Sequence, residues 1–412
     1  MPVPDVSVIV GAYDAMPYLV RCLESVENQT LGADRIELVA IDDGSTDGTG
    51  DYLEEFAART PVPATVVRQA NSGGPSGPRN RGLSVARGRY AFFLDADDFL
   101  GEEALERMVG MADRVGTDVV LGKVEGVNRG APSSMWTRTA DRVDIYDSRV
   151  IYTLSAQKLF RRELIARLGL RFDEGLRTGE DALFTMEAYV RGGGVSVISD
   201  YTCYYLVGRE DGKHVTRTGG YAPRFEATGA LMALIAELAP AGPKRDRLMV
   251  RPFTVGLMQQ FAHGVTKQPG HVQRHKVQLA APLMARYWTP GVARHIKVAE
   301  RLRLECVALG RLDLLADVLA FIKAERKPEV VHRGRPRKPH LAFPHFGNRH
   351  AGIQDSVYEV TVPDWVGKPG SERIAPPTAD RRGEPLARRV AARLPRRVRP
   401  LARWAYRMTR RH

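Results

Sequence analysis

Carboxylates that follow directly on an apolar run are the first residues in this chain whose types and spacing indicate chemistry. The run Tyr90–Leu94 is aromatic and aliphatic throughout, as expected of a strand buried on both faces of a parallel sheet, and it leads into Asp95, Ala96, Asp97 and Asp98. Open α/β sheets bind ligands beyond the carboxyl ends of their strands. Two carboxylates two residues apart offer hard oxygen ligands to Mg²⁺ or Mn²⁺ and leave positions for water and phosphate. The motif therefore predicts a metal and diphosphate site, although a helix cap at Asp98 is an open alternative.

A second acidic pair ends an earlier predicted strand. Asp42 and Asp43 follow the run Ile36–Ile41, so both acidic clusters are expected to converge on one crevice. The turn that follows, Asp43 to Asp47, is also rich in residues that favour turns and helix caps, and that structural role is compatible with the functional one.

Two further segments carry candidate groups. In the loop that runs from Gly73 to Asn80, glycines allow the backbone to approach a ligand, and Arg79 at a predicted helix start could pair with phosphate. Glu180 and Asp181 fall in the first turn of another predicted helix. The structural alternative for this pair is a capping box with Thr178 as the cap.

The elements that would position these residues alternate between strand and helix over the first 100 or so residues. Strands are predicted at 6–10, 36–41, 64–68, 90–94, 118–127 and 198–206, and helices at about 49–59 and 78–86. This order implies a right-handed, parallel, doubly wound nucleotide-binding half.

The chain divides into four predicted parts. Residues 1–220 form the α/β catalytic domain, and 221–326 have helical periodicity and few strand signals. Residues 327–385 are rich in proline, glycine and basic residues, with one strand candidate at 356–362, and are expected to be a linker or a partial accessory domain. Residues 386–412 hold ten arginines and no acid, with apolar residues every three or four positions. Such a tail could lie on an anionic membrane, although Pro395 and Pro400 would break a helix.

Composition favours an ordinary globular protein, with 43% hydrophobic and 26% charged residues. The absence of a long apolar run or signal peptide predicts a cytoplasmic location, peripheral at the inner membrane face if the tail binds there. Three widely separated cysteines suggest neither a disulfide framework nor a zinc site. Two other classes remain open from the residues alone. A sugar nucleotidyltransferase uses similar acids, and a pI of about 9.8 suits a nucleic-acid-binding protein, although stacking aromatics are scarce among the basic residues.

With these motifs assembled, the chain resembles the family 2 glycosyltransferases of the GT-A fold. The resemblance is carried by six segments in order over residues 6 to 184: VSVIVGAYDAMPYL, CLESVENQT, ELVAIDDGSTDGT, NSGGPSGPRNRGL, FLDADD and TGEDALF. A narrower resemblance, to the wall teichoic acid poly(ribitol-phosphate) β-N-acetylglucosaminyltransferases, rests on GVNRGAPSSMW, SRVIYTLSAQKLFR, GEDALFTMEAY and SVISDYTCYYLVGREDGKHVT.

The resemblance implies roles for individual residues. The donor nucleotide and sugar would be contacted by the backbone of Gly11, Ala12 and Tyr13, by Asp43 at the uracil ring, and by Asn71, Arg79, Asp95 and Ala96. Asp97 would bind the metal, with His214 as a further candidate ligand, and Arg129 and Arg209 would close over the phosphates. Asp181, paired with Glu180, would be the catalytic base.

The implied reaction is an inverting transfer of a sugar, with GlcNAc as the favoured candidate, from a UDP-sugar to a hydroxyl of an anionic polyol-phosphate polymer, assisted by Mn²⁺ or Mg²⁺. A capsular or other cell-surface polysaccharide is the alternative acceptor. Nucleic acid is not an expected partner, and an oligomer is compatible with the helical region.

Overall fold

The computed structural model describes residues 3–209, 220–366 and 372–376. Its first half is built on an eight-stranded sheet with strand order β3-β2-β1-β4-β7-β6-β8-β5. The strands are β1 (Val6–Ala12), β2 (Ile36–Asp42), β3 (Ala64–Arg68), β4 (Tyr90–Asp95), β5 (Phe99–Leu100), β6 (Val119–Val127), β7 (Leu159–Arg161) and β8 (Val195–Val207). Strands β1 to β4 are mutually parallel, as predicted for the nucleotide-binding half.

The sheet is mixed because two short strands run against their neighbours. β7 lies between β4 and β6 and is antiparallel to both, and β5 is antiparallel to β8. The predicted α/β class with a doubly wound mixed sheet is confirmed.

Helices cover both faces of this sheet. They are α1 (Tyr18–Glu27), α2 (Thr49–Arg59), α3 (Ser76–Val85), α4 (Ala104–Val115), α5 (Arg162–Leu168) and α6 (Glu180–Arg191). Along β1, Val8 and Val10 belong to the core on one side of the sheet and Ile9 to the core on the other side. Burial on both faces explains why the strands are apolar runs rather than alternating patterns.

The second half of the chain begins with helices, which confirms the predicted helical subdomain. They are α7 (Ala222–Leu238), α8 (Pro243–Arg251), α9 (Gly270–Tyr287), α10 (Pro290–Ala293), α11 (Val298–Ala308) and α12 (Leu312–Lys323). α8 continues through a π-helical turn at Pro252–Leu257 and a last turn at Met258–Gln260. Because α7 packs against α6, the helical subdomain shares the core on one side of the sheet.

The strand predicted at 356–362 is wrong. Asp355–Tyr358 is a 3₁₀ helix, and the neighbours Val357 and Tyr358 are both buried, whereas a half-exposed strand would place them on opposite faces. The strands of this region lie elsewhere, in the hairpin β9 (Glu329–Arg333) and β10 (Lys338–Ala342) and in the pair β11 (Asp364–Val366) and β12 (Glu372–Ile374).

No helix in the described part of the chain is long and apolar enough to cross a bilayer. The three cysteines are buried and unpaired. The basic tail at 386–412 lies outside the described residues.

Candidate active site

Asp95 ends β4 beside Gly11 of β1, at the carboxyl edge of the parallel strands. Its carboxylate accepts hydrogen bonds from Arg79 Nη2 at 2.8 Å and from Gln157 Nε2 at 2.7 Å. The two acidic clusters do meet at this edge, since Asp42 of β2 lies opposite Ala12 of β1. The Asp95 carboxylate is nevertheless already hydrogen-bonded by protein donors.

Asp98 faces inward and has a structural role. It accepts hydrogen bonds from Tyr204 Oη at 2.8 Å and from the backbone nitrogen of Val207 at 2.7 Å, so it fastens β8 and does not cap α4. Burial, with Asp95 and Asp97 nearby, raises the pKa of Asp98 to about 8.

Asp97, like Asp95, is partly exposed. Burial and the charge of Asp95 raise its pKa to about 6, against the opposing effects of Arg209 and Arg129. These two arginines follow the paired ends of β6 and β8, where the backbone nitrogen of Gly208 donates to the carbonyl of Val127 at 2.8 Å. Arg129 and Arg209 thus lie near the acidic cluster, and their predicted closure over the phosphates stays a prediction.

Arg209 also reaches the loop after β1. Its Nη2 donates to the carbonyl of Asp14 at 3.1 Å, and its guanidinium lies 5.1 Å from the ring centroid of Tyr18. His214, predicted to lie in the loop after β8, is outside the described residues.

The predicted uracil pocket lies at the ends of β1 and β2. Asp43 is buried, and its carboxylate accepts hydrogen bonds from Ser72 Oγ at 2.9 Å, from the Ser72 backbone nitrogen at 3.1 Å and from Gln69 Nε2 at 2.6 Å. Tyr13 follows β1 with 52% of its surface exposed, which makes it available to a planar ring. Asn71 shapes the opposite loop by accepting a bond from the Gly73 backbone nitrogen at 2.8 Å.

Glu180 and Asp181 begin α6, but not through a capping box. The helix is preceded by Gly179 with φ of 84°, and no side chain caps it, so the alternative role of Thr178 is wrong. Burial and the charge of Asp181 raise the pKa of Glu180 to about 7, against the effect of Arg79. Burial also raises the pKa of Asp181. Within residues 3–209, 220–366 and 372–376, no hydrogen bond reaches the carboxylate of Asp181, a partly exposed residue.

Arg79 joins the two acidic groups of the crevice. It lies within α3, donates through Nη2 to Asp95 at 2.8 Å and through Nη1 to Glu180 at 2.9 Å, and lies 5.2 Å from the ring centroid of Phe172. Burial lowers the pKa of Arg79, but the attraction of Asp95 and Glu180 outweighs it and the pKa is raised. Both terminal nitrogens of the Arg79 guanidinium, Nη1 and Nη2, thus donate to carboxylates. A contact between Arg79 and the nucleotide sugar stays a prediction.

Sequence reasoning missed four residues of this region. Gln157 and Lys158 come from the segment before β7, Tyr204 from β8, and Arg251 from the end of α8. The only signal for the first two was their place in SRVIYTLSAQKLFR, because their contacts depend on the fold.

The acidic cluster fits a divalent cation held mainly by substrate. No group of three potential His, Cys, Asp or Glu ligands occurs among the residues that the structure describes. Since Asp95 and Asp98 are engaged by protein donors, Asp97 is the available carboxylate, and its raised pKa marks an anion that a cation would stabilise. Mg²⁺ commonly binds through one or two carboxylates together with substrate phosphates and water, so this arrangement suits it.

Comparison with known proteins places these features in a family. A model of glycosyl transferase family 2 matches residues 7–173, and a model of the glycosyl transferase TarS linker domain matches residues 222–319. A poly(ribitol-phosphate) beta-glucosyltransferase of Bacillus spizizenii is 35% identical over 263 residues, which are 64% of this chain and 41% of that protein. The poly(ribitol-phosphate) beta-N-acetylglucosaminyltransferase TarP of Staphylococcus aureus is 33% identical over 227 residues, which are 54% of this chain and 69% of that protein.

A solved structure of the same family has the same fold as this chain. The crystal structure of residues 1–349 of S. aureus TarS in complex with UDP-GlcNAc superposes with a TM-score of 0.72 and 29% identity, covering 82% of this chain and 97% of that one. The chain spans 41% of the length of the Bacillus relative and 36% of the length of full S. aureus TarS, which is less than half of each.

Proposed function

Because the chain belongs to glycosyl transferase family 2, we propose that it transfers a sugar from a UDP-sugar to a hydroxyl of a cell-wall polyol-phosphate polymer such as poly(ribitol phosphate). N-acetylglucosamine is the proposed sugar, and glucose, the sugar named for the Bacillus relative, is the competing one. We assign donor binding and chemistry to residues 1–220, and acceptor binding or assembly to 221–326 and 327–385. Residues 386–412 are proposed to contact anionic polymer or membrane.

The observation that carries the proposal is the link between the donor crevice and a carboxylate pair. Arg79 bonds both Asp95, at the end of β4, and Glu180, at the start of α6. Asp181 follows Glu180 in the first turn of α6 and is therefore held next to the crevice. This geometry supports a single displacement, in which the acceptor hydroxyl attacks the anomeric carbon while UDP leaves from the opposite face, so that an α-linked donor yields a β-glycoside.

In this mechanism each side chain has one task. Asp43 and Tyr13 bind the uracil ring, and Asp95 orients the ribose or the donor sugar. Asp97 would hold Mn²⁺ or Mg²⁺, and that ion would supply Lewis-acid neutralisation of the charge on the leaving diphosphate. Asp181 takes the proton of the acceptor hydroxyl as it attacks.

Transfer assays test the proposal directly. UDP-GlcNAc, UDP-glucose and UDP-galactose are each incubated with a synthetic ribitol-phosphate oligomer, and the product is followed by mass spectrometry, with its anomeric configuration read by NMR. Asp181→Asn should keep UDP binding and lose transfer, whereas Asp34→Asn, at an exposed site, should behave as wild type. Absence of product from all donors would contradict the function, and substantial transfer by Asp181→Asn would remove Asp181 as base.

A further inference from the structure

Two cations without an assigned role, the buried Lys158 and the partly buried Arg251, lie near the proposed base. Lys158 is 2% exposed and comes from the segment before β7, and Arg251 is the last residue of α8 in the helical subdomain. Buried lysines and arginines are rare unless a partner compensates their charge. Their surroundings therefore need an explanation.

Lys158 lies against the face of α6 that carries Asp181. Its Nζ donates to the carbonyl oxygen of Ser155 and lies 3.5 Å from Ser155 Oγ. The same carbonyl accepts a hydrogen bond from Thr185 Oγ1 at 3.3 Å. Because Asp181 and Thr185 are four residues apart on α6, their side chains share one face of the helix. The Lys158 ammonium is thus placed beside that face.

Arg251 approaches the same place from the other subdomain. α8 packs against the 3₁₀ turn Val150–Tyr152, and the buried Nε of Arg251 is among the polar atoms with no hydrogen-bond partner in the described part of the chain. Burial lowers the pKa of its guanidinium, and the charge of Asp181 opposes that change. Because Arg251 lacks a full set of hydrogen-bond acceptors among the described residues, we expect it to affect its neighbours mainly through its positive charge.

The charges around Asp181 oppose one another. Burial raises the pKa of its carboxyl, as does Asp95, whereas Arg79, Arg251 and Lys158 act to lower it. Burial lowers the pKa of Lys158 to about 7, Asp181 opposes that change, and Arg251 adds to it. Glu180, the neighbour of Asp181 in the same helical turn, is itself raised by burial and by Asp181.

We propose that Lys158 and Arg251, which approach the face of α6 that carries Asp181, are positioning residues that support Asp181 as the acceptor of the hydroxyl proton. The helical subdomain thereby completes the active site by supplying Arg251. This inference rests on the proposed function, in which Asp181 is the base.

The pH dependence of transfer tests the inference. The acidic limb of the kcat/KM profile reports the base in the free enzyme. Removing an opposite charge from its surroundings should move that limb up by about 1 to 3 pH units, which is the size of such effects in proteins. Lys158→Met and Arg251→Met should each show this move with KM for the UDP-sugar nearly unchanged, and Lys158→Arg should restore the wild-type limb.

Lys276→Met is a matched control. Lys276 is also buried, at 5% exposure, and its Nζ also donates to a backbone carbonyl, that of Gln260 at 3.0 Å, but the charged neighbour that affects its pKa is Arg224. This variant should leave the limb in place. A Lys158→Met enzyme that loses rate equally at every pH, with the limb unmoved, would overturn the inference and leave Lys158 a packing residue.

A measurement without substrate separates this inference from the proposed function. The urea midpoints of wild type, Lys158→Met, Asp181→Asn and the double variant form a mutant cycle at pH 6, below the Lys158 pKa of about 7, so that its ammonium is charged. Asp181→Asn should lower the midpoint more in wild type, where it leaves Lys158 uncompensated, than in Lys158→Met. Additive shifts would refute the pairing even in an active enzyme. Non-additive shifts in a protein that transfers no sugar would support the pairing and refute only the function.

Discussion

Arg79 is the residue whose removal should perturb the crevice most, because two carboxylates depend on it. Its side chain is 10% exposed and that of Glu180 is 7% exposed, so Arg79→Met leaves Glu180 buried without its cation. Breaking a buried ion pair in this way costs about 3–5 kcal/mol. Asp95 adds less, because it is 33% exposed and keeps its bond from Gln157 at 2.7 Å. We expect a total loss in the free energy of unfolding of about 4 kcal/mol at pH 8.

The loss in the free energy of unfolding caused by Arg79→Met should depend on pH. Whether this loss grows or shrinks with pH follows from the ionisation of Glu180. Its folded-state pKa of about 7 lies above the ordinary 4.5, so the wild type loses stability as the pH rises from about 4.5 to 7, where the acid is ionised in the unfolded chain and still protonated in the folded one. Without Arg79 the folded-state pKa rises further, so the ionised acid costs more at pH 8. At pH 5.5 the acid is protonated and the cost falls to that of a buried neutral polar group, about 1–3 kcal/mol.

Urea unfolding followed by circular dichroism at pH 5.5 and pH 8 measures both values. Adding Glu180→Gln to Arg79→Met should recover most of the difference between the two pH values, since the uncompensated charge is then absent. Arg114→Met is the control, because Arg114 and its partner Asp141 are 57% and 60% exposed and such pairs contribute about 1 kcal/mol or less. Equal losses for Arg79→Met at both pH values, or no rescue by Glu180→Gln, would refute the reasoning.

Three other substitutions test the crevice. Gly44→Ala should destabilise the fold and weaken UDP binding, because φ is +81° and a Cβ would lie 2.8 Å from a backbone nitrogen. Gly110→Ala is the control and should stabilise its helix, because the space around Gly110 is open. Equal midpoints of the two variants in thermal unfolding would contradict this expectation. Tyr204→Phe should cost about 1–3 kcal/mol by depriving Asp98 of its donor, and Tyr205→Phe much less; equal urea midpoints would count against it. Asp97→Asn should abolish the gain in UDP affinity that Mn²⁺ gives over EDTA in calorimetry, and a retained gain would exclude Asp97 as the ligand.

The first four strands were predictable because each is set by its own residues. The helix expected at 49–59 and the strand expected at 64–68 are found at those bounds. By contrast, β7 has only three residues, and its place between β4 and β6 depends on antiparallel pairing with strands distant in sequence. Local propensity does not encode such a pairing, and the same limit explains the misplaced strand at 356–362.

The candidate site was predictable in position but not in the state of its side chains. Acids at the ends of parallel strands must meet, so Asp43 and Asp95 could be placed on one edge of the sheet from the sequence. Which acid stays available could not be known, because the donor to Asp98 comes from Tyr204 and one donor to Asp95 from Gln157, both remote in sequence. The availability of Asp97 is a consequence of tertiary contacts made by its neighbours.

The balance of charge in the crevice bears on how a donor can enter it. Arg79 is shared between two carboxylates, and burial raises the pKa of three further acids: Asp97, Asp98 and Asp181. A diphosphate adds more negative charge to these surroundings, so its binding requires cations that arrive or turn toward it. Arg129 and Arg209, which already attract Asp97, and a divalent ion at Asp97 are the available sources. Donor binding should therefore be cooperative with metal binding, since each neutralises the repulsion that the other would meet.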